Sequence, residues 1–564
     1  MSPVAVTVCA LLAYFLAYRF YSKWLATKVF CIDAAAITPA HSQQDGIDFV
    51  PTRPQVLFGH HYASIAGLAP MLGPAVAVFW GWLPALLWLV CGAIFIGCVH
   101  DFSALILSAR HQGKSIGALC EDILGKRAKL LFLLLITFGV SLAMGVFVYI
   151  ISLLFTWGSD FEPQQLSAST TSFPEVVMPS IGLILVALVC GWLLKRKQAS
   201  LLWVTVGGFS ALLALIAVAY NIPTMGLPQH LWPSTTLWIW LLMAYAFAAS
   251  VMPVWLLLQA RDFLNSLLLV LGLLLMYCGF FLQNPSFDAP AFNANPDGAP
   301  PLLPFVFITI ACGAASGFHS LVASGTTARQ LDNETHARPI AYGGMIAESL
   351  LGLIAVLACT TTLGSSTAWA KLYVNWSAVA DSLAAKLGVF IHGSASFIAY
   401  LGVPSELAVT LVAMVVVSFA LTTLDSATRL LRFNLEELGL KNRFFATAVA
   451  CAFICFFAFY EIDGKAAGLT LWTLFGATNQ LIAGLALLTA TAYLKQRGRT
   501  IWPLAIPAVF MIVMTMFGLS VKLIHFAEQQ QWLLFCLAMV LMIIGVAVSF
   551  TTGSAMRKSA SRDV

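Results

Sequence analysis

The chain has 564 residues, of which 60% are hydrophobic and only 9% charged, well under half the charged fraction of a soluble domain. Apolar runs of about 17–25 residues recur from end to end, roughly twice the length of a membrane-barrel strand, so the expected fold class is an all-α polytopic membrane protein. The net charge of +5 is spread thinly, and no HExxH, Walker lysine or GxSxG motif is present, which argues against a nucleic-acid partner, a hydrolase or an ATP-driven pump.

The first apolar run, near 3–20, precedes its positive charges (Arg19, Lys23, Lys28) and reads as a helix with its N-terminus outside. Further spans are expected near 55–81, 83–109, 130–156, 178–194, 200–220, 236–258, 263–283, 302–327, 341–363, 407–428, 444–460, 467–493, 502–523 and 531–551, fifteen in all. With that orientation, every Lys and Arg falls on the cytoplasmic side except Lys371, Lys386, Lys465 and Lys522. A missed span would scramble this asymmetry, so the positive-inside rule supports a bacterial inner-membrane topology with the C-terminus in the cytoplasm. The outer loops 157–177 and 284–301 lack Lys and Arg; within 364–406, Trp369 to Leu387 reads as an interfacial or re-entrant piece. Residues 110–129 have helical apolar spacing and are expected along the cytoplasmic membrane surface. The 12 Cys lie mostly in apolar runs without a CxxC pair, which suits packing rather than disulfide or metal chemistry, and no cofactor is expected.

Four spans are interrupted, and broken helices at matching places in two halves point to a transporter's binding site. Residues 55–81 carry Gly59, Gly67, Gly73, Pro70 and Pro74 around His60 and His61. Five spans later, 236–258 carries Ser250 and Pro253 mid-membrane, in the opposite orientation. The ninth span surrounds His319 with glycines and with Ser324, Thr326 and Thr327, and the eleventh ends on Thr422, Thr423, Asp425 and Ser426. The expected organisation is therefore 1–54 as an N-terminal helix and linker, 55–220 and 221–432 as two five-helix repeats, and 433–564 as four further helices. Glycine and serine in such stretches equally serve close helix packing. Ionisable groups at depth are functional candidates because burying one costs at least ~2.5 kcal/mol. Asp101, Glu348 and Asp425 are these carboxylates, with Arg110 and Arg429 as structural partners for Asp101 and Asp425 in the alternative reading.

At these same residues the sequence resembles the carbon starvation protein A (CstA) family. The resemblance rests on DGIDFVPT (45–52), FGHHYASIAGLAPMLGP (58–74), HDFSALILSARHQGKSIG (100–117), ASVMPVWLLLQARDFLNS (249–266), GFHSLVASGTT (317–327), TTLDSATRLLR (422–432) and LWTLFGATNQLIAGLAL (471–487). Where the family pattern often continues SGTT with Pro-Lys, this chain has Ala328 and Arg329. The resemblance implies an inner-membrane permease for peptides, or for pyruvate in related members, induced on carbon starvation. It also implies a LeuT-like 5+5 inverted-repeat core, with Ser324, Thr326 and Thr327 where sodium-coupled relatives bind a cation.

The expected mechanism is secondary active import by alternating access. A substrate carboxylate meets a half-helix N-terminus at the Gly59–Gly67 break, with Ser250 and Pro253 at the matching break and His60, His61 and His319 as the polar lining. Backbone amides do this binding because the spans hold no Arg or Lys at membrane depth. Asp101, Ser324, Thr326, Thr327, Glu348 and Asp425 are the ion-coupling candidates, for a proton or for Na+. The alternative from a different class is a membrane nutrient sensor that binds a small carboxylate without translocating it. Membrane lipid is the expected surrounding partner, and nothing in the sequence specifies an oligomeric state.

Overall fold

The computed structural model describes residues 2–158, 172–197, 199–294, 296–376, 383–462, 465–466 and 472–560. In chain order the main helices are α1 (Pro3–Val29), α2 (Pro54–Ile65), α3 (Ala69–Trp80), α4 (Trp82–Arg110), α5 (Ile116–Leu124) and α6 (Lys126–Phe155). A hairpin of α7 (Pro174–Lys195) and α8 (Leu201–Asn221) comes next, then α9 (Thr235–Val251) and α10 (Leu258–Gln283). The ninth expected span is α11 (Leu302–Thr309) and α12 (Gly317–Val322), whose helical path runs on through a wide turn at Ala323–Thr327 to Gln330. The rest are α13 (Glu334–Thr361), α14 (Ser366–Leu372), α15 (Leu383–Ala399), α16 (Ser405–Glu437), α17 (Arg443–Phe459), α18 (Trp472–Gln496), α19 (Trp502–Glu528) and α20 (Trp532–Ala560). The β structure among the described residues is one antiparallel ladder, Glu461–Ile462 against Lys465–Ala466, and an isolated parallel bridge between Thr52 and Leu331.

Among the described residues, eleven helices are long and apolar enough to cross a bilayer, twelve when the bent pair α2–α3 counts as one span. The remaining three of the fifteen expected spans do not qualify, two for length and one for a break. Helices α9 and α17 are 17 residues each, and α11–α12 is interrupted at 310–316. The fold class is an all-helical, multi-span membrane protein, in which matched packing pairs recur. Helix α2 packs on α10 as α12 packs on α18; α6 packs on α16; and α9 and α17 each pack on both α6 and α16. The α7–α8 hairpin covers α10, while α19 and α20 cover α18.

Two connections differ from their expected placement. Residues 116–124 bury Ile116, Leu119, Cys120 and Ile123 against α6 and α18, so the apolar face is docked on protein; the Ser115 hydroxyl caps this helix by accepting from Ala118 N at 3.2 Å. The outer piece at 364–406 supplies α15, packed among α3, α10, α13 and α16. Part of each expected outer segment, 159–171 and 377–382, lies outside the described residues.

Two interruptions fall within spans, and they touch. Between α2 and α3 the chain bends by 45° at Ala66–Leu68, where Pro70 in the first turn of α3 has no N–H to continue the ladder. The second lies between α11 and α12 and turns at Gly313, whose φ of +88° is in the left-handed region open to glycine. A Cβ placed on Gly313 would sit 3.6 Å from Pro70 Cβ, so the two breaks lie against one another. Ser250 and Pro253 were expected at a mid-membrane break. They lie instead at the end of α9 and in the link to α10, where Arg429 donates to the carbonyls of Ala249 (2.9 Å) and Met252, and Arg443 to that of Val251. Proline at a helix end and proline at a kink look alike in sequence.

Candidate functional site

The touching breaks bound a small chamber of about 30 Å³. Gly67 and Pro70 line it from the first break, Cys312 and Phe318 from the second, Phe147 from α6, and Thr423 and Asn479 from α16 and α18. Its polar side chains are few. Asn479 ties the second break: Oδ1 accepts from Phe318 N at 2.9 Å, and Nδ2 donates to Ser316 Oγ at 3.0 Å. Gly67 is small for a steric reason, since a Cβ there would lie 2.7 Å from Thr423 Oγ1 and 3.0 Å from Phe147. Gly59 does not reach the chamber. It sits within the continuous α2, where a Cβ would collide with Ser266 and Phe263 of α10, so it serves close packing of those helices.

Directly behind the second break is a buried chain of ionisable groups. His100 Nδ1 is 2.8 Å from Asp101 Oδ1, and His319 Nδ1 is 2.9 Å from Asp101 Oδ2. His319 Nε2 is in ion-pair contact with Glu348 Oε2 at 3.1 Å. All four side chains are fully buried, on α4, α12 and α13, and Glu348 lies beside the Gly313 backbone. Thus the structure brings together Asp101, His319 and Glu348, three residues far apart in sequence. Arg110, the alternative partner for Asp101, is instead bonded to Glu334.

His319 Nδ1 and Asp101 share one hydrogen, since their contact has hydrogen-bond geometry. On the other side of the ring, Nε2 and Glu348 are 3.1 Å apart without a hydrogen bond of good geometry. A buried imidazole standing between two carboxylates is an arrangement suited to acid–base exchange during transport.

A second buried cluster joins α2, α9, α10 and α16. His60 Nδ1 is 2.6 Å from Asp262 Oδ2, Arg261 Nη2 is 3.1 Å from Asp262 Oδ1, and Arg261 Nη1 contacts Asp425 Oδ2. Tyr245 donates to the same Asp425 oxygen at 2.6 Å. Arg261, Asp262 and Asp425 are at most 1% exposed, which corrects the expectation that no Arg or Lys lies at depth. Asp425 pairs with Arg261 rather than Arg429, whose partner is Asp48 at 2.8 Å. Arg261 and Asp262 escaped sequence reasoning because they stand at the end of a span, where basic residues read as topology signals. Asn479 escaped because it is uncharged and stands beside Thr478 and Gln480 in a span without a proline.

The remaining candidates are occupied locally. His61 Nδ1 is 2.9 Å from Thr327 Oγ1, which joins the two broken spans. Ser324 Oγ donates to Ser320 O at 2.6 Å and accepts from Ile116 N at 3.0 Å. Thr326 Oγ1 donates to Val322 O at 3.0 Å. Among the described residues, no group of three or more His, Cys, Asp or Glu side chains is arranged to hold a metal ion.

Comparison with known proteins bears on the whole chain. The family profile described as "Carbon starvation protein CstA" matches residues 2–385 and 370–518. The chain is 32% identical to "Peptide transporter CstA" of Campylobacter jejuni, covering 94% of this chain and 81% of that one. It is 30% identical to "Pyruvate/proton symporter BtsT" of Escherichia coli, with 94% and 83% covered, and 30% identical to "Peptide transporter CstA" of Bacillus subtilis, with 91% and 89% covered. Among solved structures it is similar to MhsT in complex with L-phenylalanine at 14% identity and TM-score 0.41, covering 89% of this chain and 98% of that one. It is also similar to a manganese transporter mutant of Eremococcus coleocola at 10% identity and TM-score 0.42, with 91% and 99% covered. On the family profile and these relatives, the chain belongs to the carbon starvation CstA family of membrane transporters.

Proposed function

We propose that the protein is a proton-coupled importer of a small carboxylate of pyruvate size in the bacterial inner membrane, with its N-terminus outside and its C-terminus in the cytoplasm. The observation that carries the coupling is the buried Asp101–His319–Glu348 cluster directly behind the second break, where one imidazole stands 2.9 Å from one carboxylate and 3.1 Å from another. The substrate carboxylate would meet the N-terminal turn of α3 at Gly67–Pro70, where unpaired backbone donors and the helix dipole favour an anion. Thr423 and Asn479 are the polar side chains nearest it.

Two observations favour this over the alternatives. One relative is named a pyruvate/proton symporter, which supports a proton rather than Na+ as the coupling ion. The chamber of about 30 Å³ must widen less for pyruvate than for a peptide. Several relatives are named peptide transporters, so a di- or tripeptide is the second reading.

The packing pairs support a revised division of the core. The first unit runs over 54–283 and comprises α2–α3, α4, α6, α9 and α10, with α7–α8 inserted. The second runs over 302–496 and comprises α11–α12, α13, α16, α17 and α18. This pairs the break at Gly67 with that at 310–316, in place of the expected units 55–220 and 221–432. The separation of seven expected spans is odd, so the inversion is kept.

The test is uptake of labelled pyruvate and of labelled dialanine by proteoliposomes under an inward proton gradient. Pyruvate accumulation abolished by a protonophore is expected, with dialanine unmoved. Counterflow exchange of pyruvate rules out a sensor that binds without translocating. No uptake or exchange of either compound above protein-free liposomes would overturn the reading.

A further inference from the structure

A cavity of about 700 Å³ opens at the end of the molecule where α4 and α18 finish, away from the chamber. Its walls come from three parts of the chain: the 29–42 stretch that leads from α1 towards α2, the end of α4 at Arg110 and Gln112 with Glu334 beside it, and the end of α18 at Tyr493, Arg497 and Arg499. The volume lies within the range of small-molecule sites.

The charges in it are unevenly used. Arg110 is fully engaged: Nε donates to Glu334 Oε1 at 2.5 Å, and Nη2 donates to Glu334 Oε2 at 3.2 Å and to Cys31 O at 3.1 Å. Glu334 also accepts from Asp33 N at 2.7 Å, and the Asp33 carboxylate accepts from Ala35 N at 2.9 Å. The two acidic groups are thus occupied nearby. Arg497 and Arg499 are not matched in this way. Arg497 lies over the Tyr493 ring at 4.6 Å, and Arg499 Nη1 lies 2.8 Å from the Cys31 thiol. The Tyr493 hydroxyl is an independent sign of an absent partner. Tyr493 is 3% exposed, and its hydroxyl, beside the Arg110 guanidinium, makes no hydrogen bond of good geometry.

We propose that this cavity is a second binding site, separate from the transport chamber, for a phosphate-bearing anion. Two planar guanidinium forks present donors in the geometry that phosphate oxygens accept bidentately. The buried Tyr493 hydroxyl supplies a further donor. Apolar Phe30 and Ile37 on the same walls would face the uncharged part of the ligand. A ligand here joins the stretch leading to the first broken helix to the end of α18, whose Asn479 ties the second break. Occupancy therefore holds together parts of the chain that reach both sides of the chamber. The phosphate has two possible sources, a soluble organic phosphate or the headgroup of an anionic lipid.

The test uses the full-length protein in nanodiscs. Pyrophosphate is titrated into phosphatidylcholine discs, and in parallel the protein is placed in discs containing phosphatidylglycerol. Thermal unfolding and the rate of N-ethylmaleimide labelling of Cys31, read on its own peptide, report binding. Arg497 and Arg499 are exposed, so R497Q/R499Q is expected to fold. Binding of pyrophosphate that slows Cys31 labelling at least fivefold, and is weakened at least tenfold by R497Q/R499Q, supports the site with a soluble ligand. The same effects with phosphatidylglycerol alone, again lost in the double variant, support it with a lipid headgroup. Restoration by R497K/R499K to less than a third of wild-type affinity is expected, because lysine keeps the charge without the fork. No response of the wild type to either probe, or an equal response of the double variant, overturns the proposal.

Discussion

Replacing Arg261 by Met separates the buried ionic cluster into its parts. In the native protein one guanidinium serves two carboxylates, Asp262 and Asp425, while Asp262 is also held by His60 and Asp425 by Tyr245. Arg261→Met keeps most of the side-chain volume but strands Asp425 with a single neutral donor. Removing one partner of a buried pair costs about 3–5 kcal/mol, most of it the stranded charge. Asp425→Asn is milder, because Arg261 keeps Asp262 and the amide oxygen still accepts from Tyr245; it should cost about 1–3 kcal/mol. The double variant Arg261→Met/Asp425→Asn removes both ends of the contact and leaves the His60–Asp262 pair. Its loss should fall short of the sum of the single losses by more than about 0.5 kcal/mol, the limit within which independent sites add. The assay is equilibrium unfolding of the four proteins in mixed detergent micelles. Single losses that simply add in the double variant would refute the argument that the Arg261–Asp425 contact holds α10 to α16.

Other substitutions probe the chamber. Gly67→Ala puts a methyl 2.7 Å from Thr423 Oγ1, an overpacking that costs about 1–3 kcal/mol; pyruvate uptake should fall about tenfold or more, and Thr423→Ala in the same chain should recover part of it. Asn479→Ala strips Phe318 N of its acceptor at 2.9 Å and Ser316 of its donor at 3.0 Å. The buried groups left unpaired cost about 1–3 kcal/mol, read as a lower unfolding midpoint together with a raised KM for uptake. Thr327→Val, nearly the same shape, removes the partner of His61 Nδ1 and should slow exchange between the two faces more than it weakens substrate binding.

What the sequence made legible was local or additive. Apolar run length is a sum over neighbours, and it located the eleven helices long enough to cross a bilayer and the bent α2–α3 pair among the described residues; of the three further spans expected, α9 and α17 are too short and α11–α12 too broken to qualify. The break at Gly67–Pro70 was legible because proline removes a donor wherever it stands. The prolines misled at Pro253, which closes a helix end, whereas the second break turns on Gly313 in a stretch with no proline at all. His319, Asp101 and Glu348 could each be picked out as ionisable groups at depth. That they form one chain depends on α4, α12 and α13 meeting, which no local pattern encodes. Arg261 illustrates the converse: its position at a span's edge matched the topology rule so well that its partners, one adjacent and one more than 160 residues away, went unseen.

The central claim is that a proton exchanged between His319 and Glu348 moves with substrate. Glu348→Gln tests it most directly, because it keeps the shape of the side chain 3.1 Å from His319 Nε2 but cannot titrate. In proteoliposomes loaded with a pH-sensitive dye, added pyruvate should acidify the lumen of the wild type as pyruvate enters. The account predicts that Glu348→Gln still exchanges pyruvate by counterflow, yet neither acidifies the lumen nor accumulates pyruvate under a proton gradient. Wild-type acidification and gradient-driven accumulation in that variant would contradict it.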